Sequence, residues 1–182
     1  MKNQAQKLTL IAITIALLIV GGGVIYSVSY LLGGSQIVKI LLMSLYFSIL
    51  LYLLILRCSD IGTLTTLSIV LGLILSVFSP LMTLAIILSG VFTDLTSYLM
   101  FKGYGKDKQK IISIGFYPLY SVVFSLLVTS ALTIRFNNTM ITFIVYILGG
   151  LAAFILGIIG GYLGYYLNNK YIHLEKQFNI QK

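Results

Sequence analysis

Few residues in this chain could do acid–base, nucleophilic or ligand chemistry, and their isolation limits what they can do together. The 182 residues include four acids, one histidine and one cysteine. One cysteine, Cys58, cannot form an internal disulfide, and with the lone histidine, His173, it cannot complete a zinc or iron–sulfur ligand set. His173 also sits in a Lys-rich tail, where a solvated side chain is expected. Asp94 is the acid placed within an apolar run, and a carboxylate at that depth needs a partner or water, so it is a functional candidate by default. Two roles stay open for it. It could titrate in a stand-alone carrier or channel or, lying about two turns before Lys102, belong to a polar cluster at a helix end. The sequence has no Gly-x-Ser-x-Gly elbow, no second intramembrane acid and no Gly-x-x-x-x-Gly-Lys-Ser/Thr loop, so neither enzymatic activity nor ATP binding by that route is expected.

The elements that must carry these residues are set by hydrophobicity. With 59% hydrophobic and 9% charged residues and a mean hydropathy of +1.05, the chain cannot cover a water-soluble globule, and lipid must be its solvent. A span needs about 20 apolar residues. Six runs qualify as candidates: Leu8 to Leu32, Ile40 to Leu56, Ile61 to Phe78, Leu81 to Phe101, Ile111 to Ile134 and Met140 to Leu167. Lipid offers no hydrogen bonds to backbone, and the runs lack the period-two alternation of barrel strands, so the expected fold is all-α. It is an integral membrane bundle of six transmembrane helices forming one domain over residues 1–182. A turn is required at Ser79-Pro80, because the third and fourth runs joined would make a helix of roughly 60 Å, and proline disfavours helix at the residue before it. Lys2 and Lys7 before the first run, with Ser27-Val28-Ser29 after it, resemble a secretory signal. The length of that run and a chain that opens at Met1 favour a retained span.

Charge gives the orientation. With the N-terminus inside, the inner segments hold Lys2, Lys7, Arg57, Lys102, Lys106, Lys108, Lys110, Lys170, Lys176 and Lys182, and the outer ones only Lys39 and Arg135. Both termini and the basic loop Lys102 to Lys110 are therefore expected in the cytoplasm, in a multi-pass protein of the cell membrane. The net charge of +8 is spread over short stretches between apolar runs, which gives no phosphate-binding face for nucleic acid.

Near the outer ends of the spans lie Tyr26, Tyr30, Lys39, Met43, Met82, Arg135 and Asn138. Aromatic and thioether groups beside one or two cations suit a pocket that buries an apolar body and fixes an anionic group. An interfacial aromatic belt accounts for tyrosines at such positions equally well, and a snorkelling side chain for Arg135. Small residues form two further patterns. Ala12 and Ala16 lie four apart on one face of the first helix. In the last helix Gly149, Ala153, Gly157 and Gly161 form one row and Gly160 with Gly164 an adjacent one. Small rows let membrane helices approach closely, either within a chain or against a partner.

This ensemble resembles the S components of energy-coupling factor (ECF) transporters, and within them the MptD or Trep_Strep group. The resemblance lies in the span count, the internal termini, Ala-x-x-x-Ala at Ala12 and Ala16 and Gly21-Gly22-Gly23. It continues in Gly90-Val91-Phe92-Thr93-Asp94-Leu95 before the basic loop, and in Gly149-Gly150 through Gly164 leading to Tyr165 and Lys170. It implies a substrate-binding subunit that captures a vitamin or cofactor-like molecule from outside. Such a subunit then joins a membrane coupling (T) subunit and two ATPase subunits, and is thought to topple in the bilayer to deliver its cargo. Carried over, Ala12 and Ala16 would meet the coupling subunit, and the loops Gly33 to Ile37, Ser79-Pro80 and Arg135 to Asn138 would gate the pocket. Haem is one candidate cargo, with Lys39 or Arg135 on a propionate and Met43, Met82, Tyr26 or Tyr30 near iron. A pterin, flavin or other planar vitamin is another, and no resident cofactor is required. Labelling of the Lys-rich stretch after Phe101 is expected only from the cytoplasmic side; extracellular labelling would invert the whole reading.

Overall fold

In a computed structural model the chain is helical throughout its regular elements, with residues 2–31, 36–77, 79–132 and 139–180 described. Six helices follow in order: α1 Lys2–Leu31, α2 Gln36–Arg57, α3 Thr63–Leu75, α4 Pro80–Phe101, α5 Asp107–Leu132 and α6 Thr139–Ile180. Among the described residues, five helices are long and apolar enough to cross a membrane, over Gln4–Leu31, Val38–Arg57, Pro80–Phe101, Asp107–Val128 and Ile147–Lys170.

The third run departs from expectation. Helix α3 has 13 residues, or about 20 Å against a hydrocarbon core of about 30 Å. Its start is set by Gly62, whose φ of 92° is a left-handed conformation open to glycine. Its end is set by the turn that Ser79-Pro80 demands. Ser79 is extended and accepts the Met82 N–H at 3.4 Å, which caps α4 with Pro80 in the first helical turn. The break expected there is present, and α3 stops four residues before it. Helix α6 departs the other way, with 42 residues, and continues past Leu167 through the Lys170 region to Ile180.

The helices neighbour one another in the order α1, α2, α6, α5, α4, α3, with α2 also reaching α5 and α3 touching α1. Successive helices run in opposite directions, so the start of α1, the ends of α2, α4 and α6 and the starts of α3 and α5 share one end of the bundle. We call it the lysine end, after Lys102 to Lys110. There the packing is tight. Leu51 and Ile55 of α2, Leu64 and Leu67 of α3 and Ile114 and Tyr117 of α5 are buried, and Ser68 donates to the Tyr117 hydroxyl at 3.2 Å. Toward the opposite end burial slackens. From Val38 to Phe47 only Ser44 of α2 is buried, and most of α1 beyond Leu18 is exposed.

The glycines of α6 are consumed inside the chain. A Cβ at Gly157 would lie 2.9 Å from the Gly115 Cα and 2.7 Å from the Pro118 ring, on α5. One at Gly160 would lie 2.6 Å from the Leu45 carbonyl oxygen, and one at Gly164 3.0 Å from the Tyr52 Cβ, on α2. The two rows thus face different neighbours, which lets α6 sit between α2 and α5 at near backbone contact. Gly160→Ala is expected to lower stability by about 1–3 kcal/mol, the range for overpacking. Gly23→Ala, with nothing within 4 Å of the added carbon, is expected to leave the thermal midpoint unchanged or slightly raised; thermal unfolding in detergent compares the two.

Candidate functional site

The acid buried within α4, Asp94, turns out to hold three elements together. Helix α3 begins on Gly62, which offers no side chain to its free N–H groups. Asp94, a buried residue of the neighbouring helix α4, supplies the missing acceptor. Its Oδ2 accepts the Thr65 N–H at 2.7 Å and the Thr65 hydroxyl at 2.7 Å, at the third residue of α3, where the N-terminal dipole favours negative charge. Gly90, one turn earlier in α4, permits this approach, since a Cβ there would meet the Leu64 carbonyl oxygen at 2.8 Å.

The other carboxylate oxygen, Oδ1, accepts the Tyr104 hydroxyl. Tyr104 arrives from the basic loop by a tight reversal. The N–H of Lys102, in a left-handed conformation at φ 56°, closes on Ser97 and Tyr98 carbonyls, and Gly103 follows at φ 125°. The chain then folds back beneath the end of α4, and Tyr104 is 4% exposed. Burial, then the Asp94 charge and the hydrogen bond to it, pushes the Tyr104 phenol far above its ordinary value of 10.0. Of the two roles open for Asp94, the geometry fits the helix-end cluster. Its partners are Thr65 and Tyr104, and Lys102 contributes backbone geometry alone. The sequence signal for Thr65 was faint: a helix opening Gly62-Thr63-Leu64-Thr65 with no capping side chain at Gly62.

At the opposite end the structure brings together part of the proposed pocket. The Lys39 ammonium lies 3.9 Å from the centroid of the Tyr26 ring. One turn deeper, Met43 packs on Gly22, its Sδ 3.9 Å from where a Cβ would be. Tyr26, Lys39 and Met43 therefore share the α1–α2 seam, a cation beside apolar groups. An exposed cation–π contact is worth about 0.5–1 kcal/mol, less than the roughly 1.5–3 kcal/mol of a hydrogen bond to a charged group, so an incoming anion can compete for Lys39. Tyr30, one turn beyond Tyr26, is 75% exposed. Met82 stands apart from the seam, exposed on α4, whose partners are α3 and α5. Arg135 and Asn138 lie outside the described residues.

Ala12 and Ala16 are both exposed on α1. Helix α1 is tied at the lysine end by Lys7 to Asp60, 3.1 Å, and further along by Tyr46, whose hydroxyl donates to the Leu17 carbonyl at 2.8 Å. Tyr46 lies so close over Gly21 that a Cβ would sit 2.8 Å from its Cε1. Cys58 is buried, and burial raises its thiol pKa, which disfavours the reactive thiolate. No group of three or more His, Cys, Asp or Glu residues is placed to hold a metal ion among the described residues.

No protein-family model, curated protein or solved structure matches this chain. The Asp94 cluster is therefore read from its geometry. Asp94→Ala leaves three donors without an acceptor and is expected to destabilise by about 3 kcal/mol or more. Asp94→Asn should cost less, and Tyr104→Phe about 1–2 kcal/mol. Because the Tyr104 value is raised on folding, its contribution is whole below pH about 10 and is lost as pH rises through the folded value. The stability gap between wild type and Tyr104→Phe should accordingly hold at neutral pH and close in strong alkali, as thermal midpoints across pH would show.

Proposed function

We propose that the chain is the substrate-binding S component of an energy-coupling factor importer. In this reading it lies in the cell membrane in six spans with both termini cytoplasmic, and captures a vitamin or cofactor-like molecule from outside, haem among the candidates. The observation that carries the reading is the outward small face of α1. Ala5, Thr9, Ala12, Ala16, Gly23 and Ser27 recur at three-, four- and seven-residue spacings, and all are exposed. The small rows of α6 are filled by α2 and α5, whereas that of α1 has no occupant among the described residues. In lipid a small face serves close helix approach, and in this reading its partner is a membrane coupling subunit.

The asymmetry of the bundle supports the same division of labour. The lysine end, taken as cytoplasmic by the charge rule, is tightly packed. The opposite end is looser and carries Lys39 and Tyr26 with Met43 beneath; the proposed cargo contacts are these with Tyr30 and Met82, and with Arg135 and Asn138 from outside the described residues. Cargo enters there, and energy arrives from two ATPase subunits through the coupling subunit. The chain does no catalysis of its own and needs no resident cofactor.

Ala12→Leu/Ala16→Leu tests this directly. Both positions are exposed, so the isolated variant should keep its thermal midpoint and any small molecule that mass spectrometry or absorption detects in the purified wild type. Co-purification with a coupling subunit and its ATPases should fall at least tenfold. Undiminished co-purification, or uptake that continues without any ATPase, would overturn the assignment.

A further inference from the structure

A groove of about 630 Å³ lies at the lysine end, between the first turns of α5 and the later turns of α6. Its walls include Ile111, Ile112, Tyr162 and Tyr165, and its rim includes Lys106, Asp107 and Lys108. We propose that it holds an anionic phospholipid, with the headgroup at the two lysines and the upper acyl chain along the isoleucines and tyrosines. The proposal is independent of which molecule the opposite end captures, and of which leaflet the lysine end faces.

Three observations carry it. First, the cations are uncommitted. Lys106 and Lys108 are exposed and have no acidic partner among the described residues, while Asp107, on the same rim, is paired with Lys110 at 3.5 Å, which leaves the rim net positive. Second, the rim is held in place. Gln109 reaches back so that its Oε1 accepts the Lys106 N–H at 2.9 Å, which fixes Lys106 at the start of α5. Third, the wall behind is built and aromatic. Tyr162 and Tyr165 lie with ring centroids 6.2 Å apart, and Tyr165 is met edge-on by Tyr52 at 6.4 Å. The Tyr52 hydroxyl is itself buried without a hydrogen-bond partner among the described residues.

The order of these groups selects the ligand class. Lys106 precedes the span Asp107–Val128 and Lys108 lies in its first turn, and Ile111 and Ile112 open its apolar part, so polar rim and apolar wall follow the bilayer from headgroup level inward. A soluble anion would leave the apolar walls unused. A zwitterionic lipid would bring its own cation to two unpaired lysines. An anionic phospholipid satisfies both parts, as basic pockets between membrane helices do.

The chain contains no tryptophan, so Ile112→Trp places a lone reporter in the groove, with Tyr162→Trp as a second should the first fail to fold. Each is reconstituted in phosphatidylcholine vesicles carrying brominated phosphatidylglycerol or, separately, brominated phosphatidylcholine. Stronger quenching by the brominated phosphatidylglycerol at equal mole fraction is expected. Adding Lys106→Gln/Lys108→Gln should cut that preference about 25-fold at low salt, at roughly fivefold per lysine. Lys102→Gln/Lys170→Gln, the same charge change at the same end but outside the groove, should leave it intact. Equal quenching by the two lipids, as a seated protein partner would give, overturns the proposal. So does an equal loss in both double variants, or full displacement of the lipid by millimolar inorganic phosphate, which would mark a site for a free anion.

Discussion

A helix that starts within an apolar bundle must find acceptors for its first N–H groups, and α3 finds only part of them locally, the Thr63 N–H bonding the Asp60 carbonyl at 3.3 Å. Gly62 supplies the backbone turn but no side chain. The carboxylate of Asp94 answers this need from across the α3–α4 interface, and the same carboxylate draws in Tyr104 from the loop that follows α4. One buried acid thus orders the start of one helix, the packing of the next and the path of the basic loop into α5. The buried leucines and isoleucines around it give the bundle its cohesion, but they would tolerate other registers. The directional bonds to Asp94 select one.

Small residues divide into two populations with different consequences. In α6 and at Gly90 they bring backbones of the same chain together, as the close approaches to Leu45, Gly115 and Leu64 show. On α1 the row from Ala5 to Ser27 faces outward, while Gly21 and Gly22 pack against Tyr46 and Met43 of α2. Sequence spacing is identical in kind for both populations, since a small row records only that something comes near and not what. The structure separates them by showing which rows are already filled.

How much could be read beforehand follows from the same physics. Hydrophobic runs, the proline break at Ser79-Pro80 and the helical class were legible because lipid enforces them on every residue of a span. The length of α3 was not, because a run from Ile61 to Phe78 looks continuous in hydropathy while its ends are set by one left-handed glycine and one capping serine. The extension of α6 beyond Leu167 was hidden for the converse reason, since a polar helix leaves no hydrophobic trace. At the outer rim, Tyr26 and Lys39 were readable as neighbours in depth and do meet, whereas Met82 shares their level but belongs to another sector of the bundle. Asp94 was conspicuous, yet its partners were not, because hydrogen bonding between elements far apart in sequence leaves no local pattern.

The brevity of α3 also shapes the surrounding bilayer. Seven residues of α4, from Leu95 to Phe101, continue past the level of Asp94, so α3 begins about 10 Å short of its neighbour along the same axis. The perimeter of the protein is therefore lower on that side than elsewhere. Acyl chains beside α3 must compress, or the whole bundle must lean toward its short flank, to relieve the hydrophobic mismatch. Either response makes the boundary between protein and lipid unequal on the α3 side.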